Sequence, residues 1–223
     1  MKIKLLWSTG MIGQGVLLEC LKNPSIENIL VINRQTCGIT NPKLKELIHS
    51  DFYDLSALSN DLTGYDACLY CLGVSSVGMA EADYHKITYE LTVYIAELLL
   101  KLNKNMSFSY ISGANTDSSE NGKTMWARVK GKTENALLAL PFKHVYMLRP
   151  GFIEPLKGIK SKTPLYQFFY TIFKPLFFIL RNFKNIATNT EVLGKAMILV
   201  VQKGYKTKIL ESKDINEIVK SNS

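Results

Sequence analysis

The feature that most constrains this chain is its opening. Residues 2 to 7 form a short apolar run, Thr9-Gly10-Met11-Ile12-Gly13-Gln14-Gly15 follows, and Ile12, Val16 and Leu17 then recur at helical spacing in Met11 to Leu21. A buried strand, a glycine turn and a helix in immediate succession can be continued in few ways. Asn28 to Asn33 reads as a second strand, and Pro42 to Ile48 as a short helix with Asn41 as cap and Pro42 at its first position. The rhythm then repeats. Tyr65 to Leu72 is strand-like, Glu81 to Asn103 helical, Met106 to Ile111 a strand, Thr124 to Leu140 a helix and Val145 to Leu148 a strand. Alternation on this scale predicts an α/β fold, a Rossmann-type doubly wound parallel sheet with helices on both faces.

After Arg149-Pro150-Gly151 the rhythm breaks. Residues 152–189 read as an irregular, lid-like segment, followed by a helix from about Thr190 to Gln202 and a late strand near Lys208 to Glu211. This small C-terminal region is expected to cover the carboxyl ends of the strands, where open α/β sheets bind ligands. The tail from Lys220 to Ser223 is expected to fray.

With 223 residues and no linker-like stretch, one domain spanning 1–223 is the expectation. Hydrophobic residues at 47% and charged residues at 21% place the chain among packed proteins rather than disordered ones. The N-terminal apolar run is too short for a secretory signal, which predicts a cytoplasmic protein. Of the four cysteines, only Cys68 and Cys71 stand at a motif-like spacing, and on a strand positions three apart face opposite ways, so no metal site or disulfide is expected of them. The formal charge of +8 favours an anionic partner. The basic residues are scattered without an aromatic-interleaved stripe, which argues against nucleic acid and leaves a membrane surface or a phosphorylated cofactor.

The glycine turn is where backbone N–H groups at a helix start can cradle a pyrophosphate, which makes Thr9, Gly10, Met11, Ile12 and Gly13 candidate cofactor contacts. An acidic residue at the end of the second strand would bind a ribose 2′-hydroxyl, and a basic one a 2′-phosphate. The sequence has Asn33-Arg34-Gln35 there, and the guanidinium of Arg34 suits a phosphate, which points to NADP(H) over NAD(H).

Gly10, Gly13 and Gly15 resemble the later glycines of the turn found in extended and atypical short-chain dehydrogenases/reductases. Trp7 stands where that turn opens with a glycine. Two further segments resemble the family in order: Asp51-Phe52, whose carboxylate would accept from the adenine amino group, and Cys71-Leu72-Gly73, where Gly73 would admit the cofactor ribose. The resemblance implies a serine after the fifth strand and a tyrosine and lysine four apart on the next helix, the tyrosine passing a proton to or from a carbonyl oxygen. Here Ser112 and Lys130 match as the catalytic candidates, but the tyrosine position is Trp126, whose indole does not ionise in this range. Ser112 itself, Tyr84, or a water held by Asn115 and Asp117 are the remaining donors.

Together with Arg149-Pro150-Gly151-Phe152 and Thr190 to Ala196, these segments resemble a bacterial subgroup often labelled nucleoside-diphosphate-sugar epimerases, in which Pro150, Gly151 and Phe152 would wall the nicotinamide. The resemblance implies an NADP(H)-dependent oxidoreductase or epimerase-like enzyme acting on a small carbonyl or hydroxyl compound, or a non-catalytic NADPH-binding sensor if Trp126 has ended the proton relay. Tyr170 and Lys174 repeat the four-residue spacing but precede Pro175 in the wrong unit of the fold, and are read as coincidence. The aromatic stretch 165–180 falls short of a bilayer span and is expected to serve as a lid or self-association surface rather than a membrane contact.

Overall fold

A computed structural model describes residues 1–156 and 186–222; most of the lid-like segment, including 165–180 and the pair Tyr170 and Lys174, lies outside the described residues. The strands are β1 (Lys2–Leu6), β2 (Asn28–Asn33), β3 (Leu44–Ile48), β4 (Ala67–Tyr70), β5 (Ser107–Ile111), β6 (His144–Arg149), β7 (Phe152–Glu154), β8 (Ala187–Asn189) and β9 (Ile209–Glu211). The helices are α1 (Met11–Lys22), α2 (residues 81–102), α3 (Met125–Ala139), α4 (Thr190–Lys203) and α5 (Ser212–Lys220). Seven strands form one all-parallel sheet in the order β3-β2-β1-β4-β5-β6-β9, and β7 and β8 form a small parallel pair beside it. The order reverses beside β1, so the carboxyl ends of β1 and β4 flank the crevice of a doubly wound sheet.

Strand alternation sorts the core into two layers. Ile3, Leu5, Ile29, Val31 and Leu69 pack with Val16 and Leu17 of α1 and Leu193 and Met197 of α4. Leu6, Leu30, Ile32, Cys68 and Tyr70 face the other way, toward Ile95 and Leu99 of α2 and Leu137 of α3. Cys68 and Cys71 separate between these layers, and all four cysteines are free.

One expectation needs correction, and one further element is present. Residues 44–48 are a strand, not a helix: Asn41 Oδ1 accepts from Lys43 N at 3.0 Å in a local turn, and Leu44 then pairs with Ile29 at the sheet edge. Residues 212–220 are a helix that the sequence reading passed over, opened by a capping box between Glu211 and Asp214. Past this helix Ser221 N donates to Glu217 O and Asn222 N to Val219 O.

The α2 helix is regular over Glu81–His85 and Leu91–Leu102, with a π turn at Lys86–Glu90 between. Gly15 lets α1 approach α4, since a Cβ there would lie 2.6 Å from Thr190 Cβ.

Lys4, on β1, breaks the apolar pattern. It is fully buried, its Nζ has no hydrogen-bond partner among the described residues, and it lies 5.2 Å from the Tyr65 ring centroid. Burial, opposed by Cys68, lowers its ammonium to about 8. Because the folded value lies below the unfolded one, the penalty is full below pH 8 and is relieved as pH rises toward the unfolded value. The drop from 10.5 to about 8 corresponds to about 3 kcal/mol. Lys4→Met is therefore expected to be the more stable protein at pH 7, with the gap to the wild type closing between pH 8 and 10.5. Urea denaturation of both proteins across that range checks this, and a gap independent of pH contradicts it.

Candidate active site

The glycine turn keeps the geometry expected of it in spite of Trp7. That residue adopts the left-handed φ of 61° that a glycine would take without cost. The indole turns away from the helix start into the second core layer, stacked on Phe52 at 4.3 Å between centroids and edge-on to Tyr70 at 5.3 Å. Burial of a large aromatic pair offsets the cost of the backbone conformation. A Cβ on Gly13 would lie 2.0 Å from Trp7 O, so only glycine lets α1 start this close to β1. Gly10 is the N-cap, with no side-chain cap and no acidic residue in the first turn, so the first-turn N–H groups and the positive end of the helix are presented where β1 ends.

Ile12 carries this turn to a cleft of about 630 Å³ at the carboxyl ends of β1, β4, β5 and β6. Its lining runs from Cys71 to Val77 and from Ile111 to Asn115, with Tyr84 of α2, Trp126 and Lys130 of α3, and Pro150, Gly151 and Ile153. Gly73 meets nothing within 4 Å where a Cβ would stand. Gly151 must be glycine for another reason, a Cβ there lying 2.5 Å from Ile186 O. A second cleft of about 470 Å³, with Glu154, Glu217, Lys213 and Lys220 in its wall, contains none of the residues expected to be functional.

Thus Ile12, Cys71, Leu72, Gly73, Ser112, Lys130, Pro150 and Gly151 share the cleft, whereas Thr9, Gly10, Met11 and Gly13 of the turn are not in its lining. Phe152 does not line the cleft: it pairs with Ala187 in β7, and alternation turns Ile153 to the cleft instead. Arg34, Asp51 and Phe52 also lie outside the lining. Arg34 is exposed just past β2, Asp51 Oδ1 accepts from Tyr53 N at 2.8 Å, and Phe52 is buried against Trp7.

The chemistry of the cleft is set by a residue that sequence reasoning missed. Glu134, fully buried on α3, accepts from Ser112 Oγ at 2.5 Å and from Arg149 Nε at 3.0 Å and also pairs with Arg149 Nη2. The Ser112 hydroxyl proton therefore points away from the cleft, leaving its lone pairs as acceptors. Lys130, one helical turn before Glu134, donates from Nζ to Ser112 O, so α3 holds both polar ends of Ser112. Burial lowers the Lys130 ammonium to about 8 against the opposing pull of Glu134. Of the other donors considered, Asp117 is spent on its own loop, accepting from Ser119 N, Ser119 Oγ and Gly122 N, whereas Tyr84 is a buried phenol in the cleft wall.

The sheet order defines a Rossmann-type α/β fold. The chain superposes on dTDP-glucose 4,6-dehydratase DesIV of Streptomyces venezuelae, solved with NAD, at a TM-score of 0.69, 13% identity, and coverage of 99% of this chain and 80% of that one. It also superposes on a short chain dehydrogenase family protein of Francisella tularensis at a TM-score of 0.65 and 13% identity, covering 94% and 95%. No protein-family model matches the chain. Similar curated sequences are the mitochondrial protein fmp52-1 of Aspergillus terreus, 25% identical over 68% of this chain and 66% of that protein, and FMP52 of Candida albicans, 28% identical over 66% and 65%. The matched stretch thus spans just under two thirds of either relative. FMP52-1 of Scheffersomyces stipitis is 25% identical over 78% and 79%. These relatives are mitochondrial by name, which overturns the expectation of a cytoplasmic protein.

Proposed function

We propose that the chain is an NADP(H)-binding reductase-like protein acting on a small carbonyl or hydroxyl compound, of the atypical short-chain dehydrogenase/reductase group. One observation carries the reading: the cleft brings Ile12 of the glycine turn, the Cys71-Leu72-Gly73 strand end, Ser112, Lys130 and Pro150-Gly151 to one place. The residues fit a nicotinamide dinucleotide. The first-turn N–H groups of α1 suit the pyrophosphate, the open space at Gly73 suits a ribose, and Lys130 suits the ribose hydroxyls beside the nicotinamide. Exposed Arg34 favours a 2′-phosphate, and Asp51 remains the candidate acceptor for the adenine amino group. The bound cofactor supplies or accepts a hydride. Tyr84 or Lys130 then gives or takes the proton at the substrate oxygen, while Ser112 accepts from a substrate hydroxyl.

Trp126 in the cleft wall and the Ser112 proton turned onto Glu134 favour a second reading, a binder that senses cofactor state without turning it over. No nucleic-acid partner is proposed. Calorimetric titration with NADP⁺ and NAD⁺ tests the binding, with NADP⁺ expected to bind at least about tenfold tighter. Incubation of the NADPH complex with aldehydes and ketones, followed by nicotinamide absorbance, separates the two readings. Oxidation lost in Tyr84→Phe assigns the phenol. Absence of binding by either dinucleotide overturns both.

A further inference from the structure

The loop at 34–39 packs on the core only through Cys37 and Ile39. Arg34, Gln35 and Thr36 all face solvent. What ties this exposed part down is a carboxylate on the neighbouring strand. Glu46 Oε1 accepts from Cys37 N at 2.8 Å and Asn33 Nδ2 at 2.9 Å, and Oε2 accepts from Thr36 Oγ1 at 2.6 Å. Thr36 Oγ1 in turn accepts from Gly38 N at 3.1 Å. Asn33, fully buried at the end of β2, continues the chain of bonds to the glycine turn, its Oδ1 accepting from Ser8 N at 2.9 Å. The Glu46 carboxylate is thus met by neutral donors. Arg34 has no ion-pair partner among the described residues. A carboxylate one strand away from an exposed arginine ordinarily invites a pair. Here its lone pairs are taken up by the loop itself, and the guanidinium stays available.

We infer that Glu46, with Asn33, is a positioning residue that clamps the Arg34 loop to the glycine turn and thereby sets the preference for a 2′-phosphorylated dinucleotide. This rests on the dinucleotide binding proposed above. An unphosphorylated dinucleotide needs the turn but not the guanidinium, so loosening the loop should cost the two ligands unequally. Hydrogen bonds to a charged acceptor are the stronger kind, so their removal should be felt by about tenfold or more.

The test is the Glu46→Ala protein beside Glu46→Gln, with two readouts. Labelling of Cys37 by a thiol-reactive disulfide, identified by mass spectrometry of the labelled peptide, reads the loop with no cofactor present. It should quicken at least about tenfold in Glu46→Ala. Affinity for NADP⁺ should fall at least about tenfold and for NAD⁺ by less than about threefold. Glu46→Gln, whose amide oxygen can still accept from Cys37 N and Asn33 Nδ2 while the Thr36 hydroxyl rotates to accept, should stay within about threefold of the wild type in both. Unchanged labelling, equal losses for the two ligands, or a glutamine variant as impaired as alanine each overturn the clamp. A wild type that binds neither dinucleotide instead overturns the reading on which it rests.

Discussion

Glu134→Ala is expected to lower the unfolding free energy by about 3–5 kcal/mol, the cost of removing one partner from a buried ion pair. The carboxylate is fully buried, and Arg149, only 12% exposed at its side chain, directs Nε and Nη2 onto it. Without it, the guanidinium keeps Ser118 Oγ and a long contact to Glu211 at 3.5 Å. Ser112 loses its acceptor at the same time and is left with Leu148 O at 3.2 Å. Urea denaturation gives the loss, and a value under about 1 kcal/mol, the range of a solvent-screened surface pair, refutes this account. Glu134→Gln should fall between, since the amide oxygen still accepts from Ser112 while the charge facing Arg149 is gone.

Gly13→Ala is expected to abolish dinucleotide binding, by at least about 100-fold or roughly 3 kcal/mol. The new methyl would meet backbone on both sides, Trp7 O at 2.0 Å and Ser8 Cα at 2.8 Å, and neither can yield without opening the turn. Overpacking of this kind costs about 1–3 kcal/mol of stability. Gly10→Ala is the control. Its nearest neighbour would be Trp7 O at 4.0 Å and its backbone has an ordinary φ of −80°, so the fold should accept it. Loss of NADP⁺ affinity in Gly10→Ala at unchanged stability would report the approach of the ligand itself. Equal behaviour of the two variants in both measurements would show that the tight turn is not what the cleft depends on.

The order of strands and helices was legible because apolar periodicity survives in a parallel sheet covered on both faces. Val31 and Ile32 need no knowledge of their neighbours to read as a buried strand. Leu44 to Ile48 was misread because Asn41-Pro42 signals a turn and a helix start equally well, and the deciding contact, the parallel pairing with β2, is tertiary. The helix at Ser212–Lys220 carried its own signal in Glu211, Asp214 and the spacing of Ile215, Ile218 and Val219. The glycine turn, Ser112 and Lys130 were visible because motifs are local. Glu134 and Glu46 were not, because their meaning comes from partners 22, 15 and 13 residues away and an isolated glutamate reads as a solvated one.

The chain has only two tryptophans, one behind the glycine turn and one in the wall of the cleft. Trp7 sits dry behind the glycine turn, 9% exposed, while Trp126 stands half-buried in the cleft wall. Their emission should therefore separate into a blue component insulated from solvent and a redder one that answers to the contents of the cleft. Without any label added, the protein carries one optical reporter on the integrity of its turn and another on what occupies its cleft.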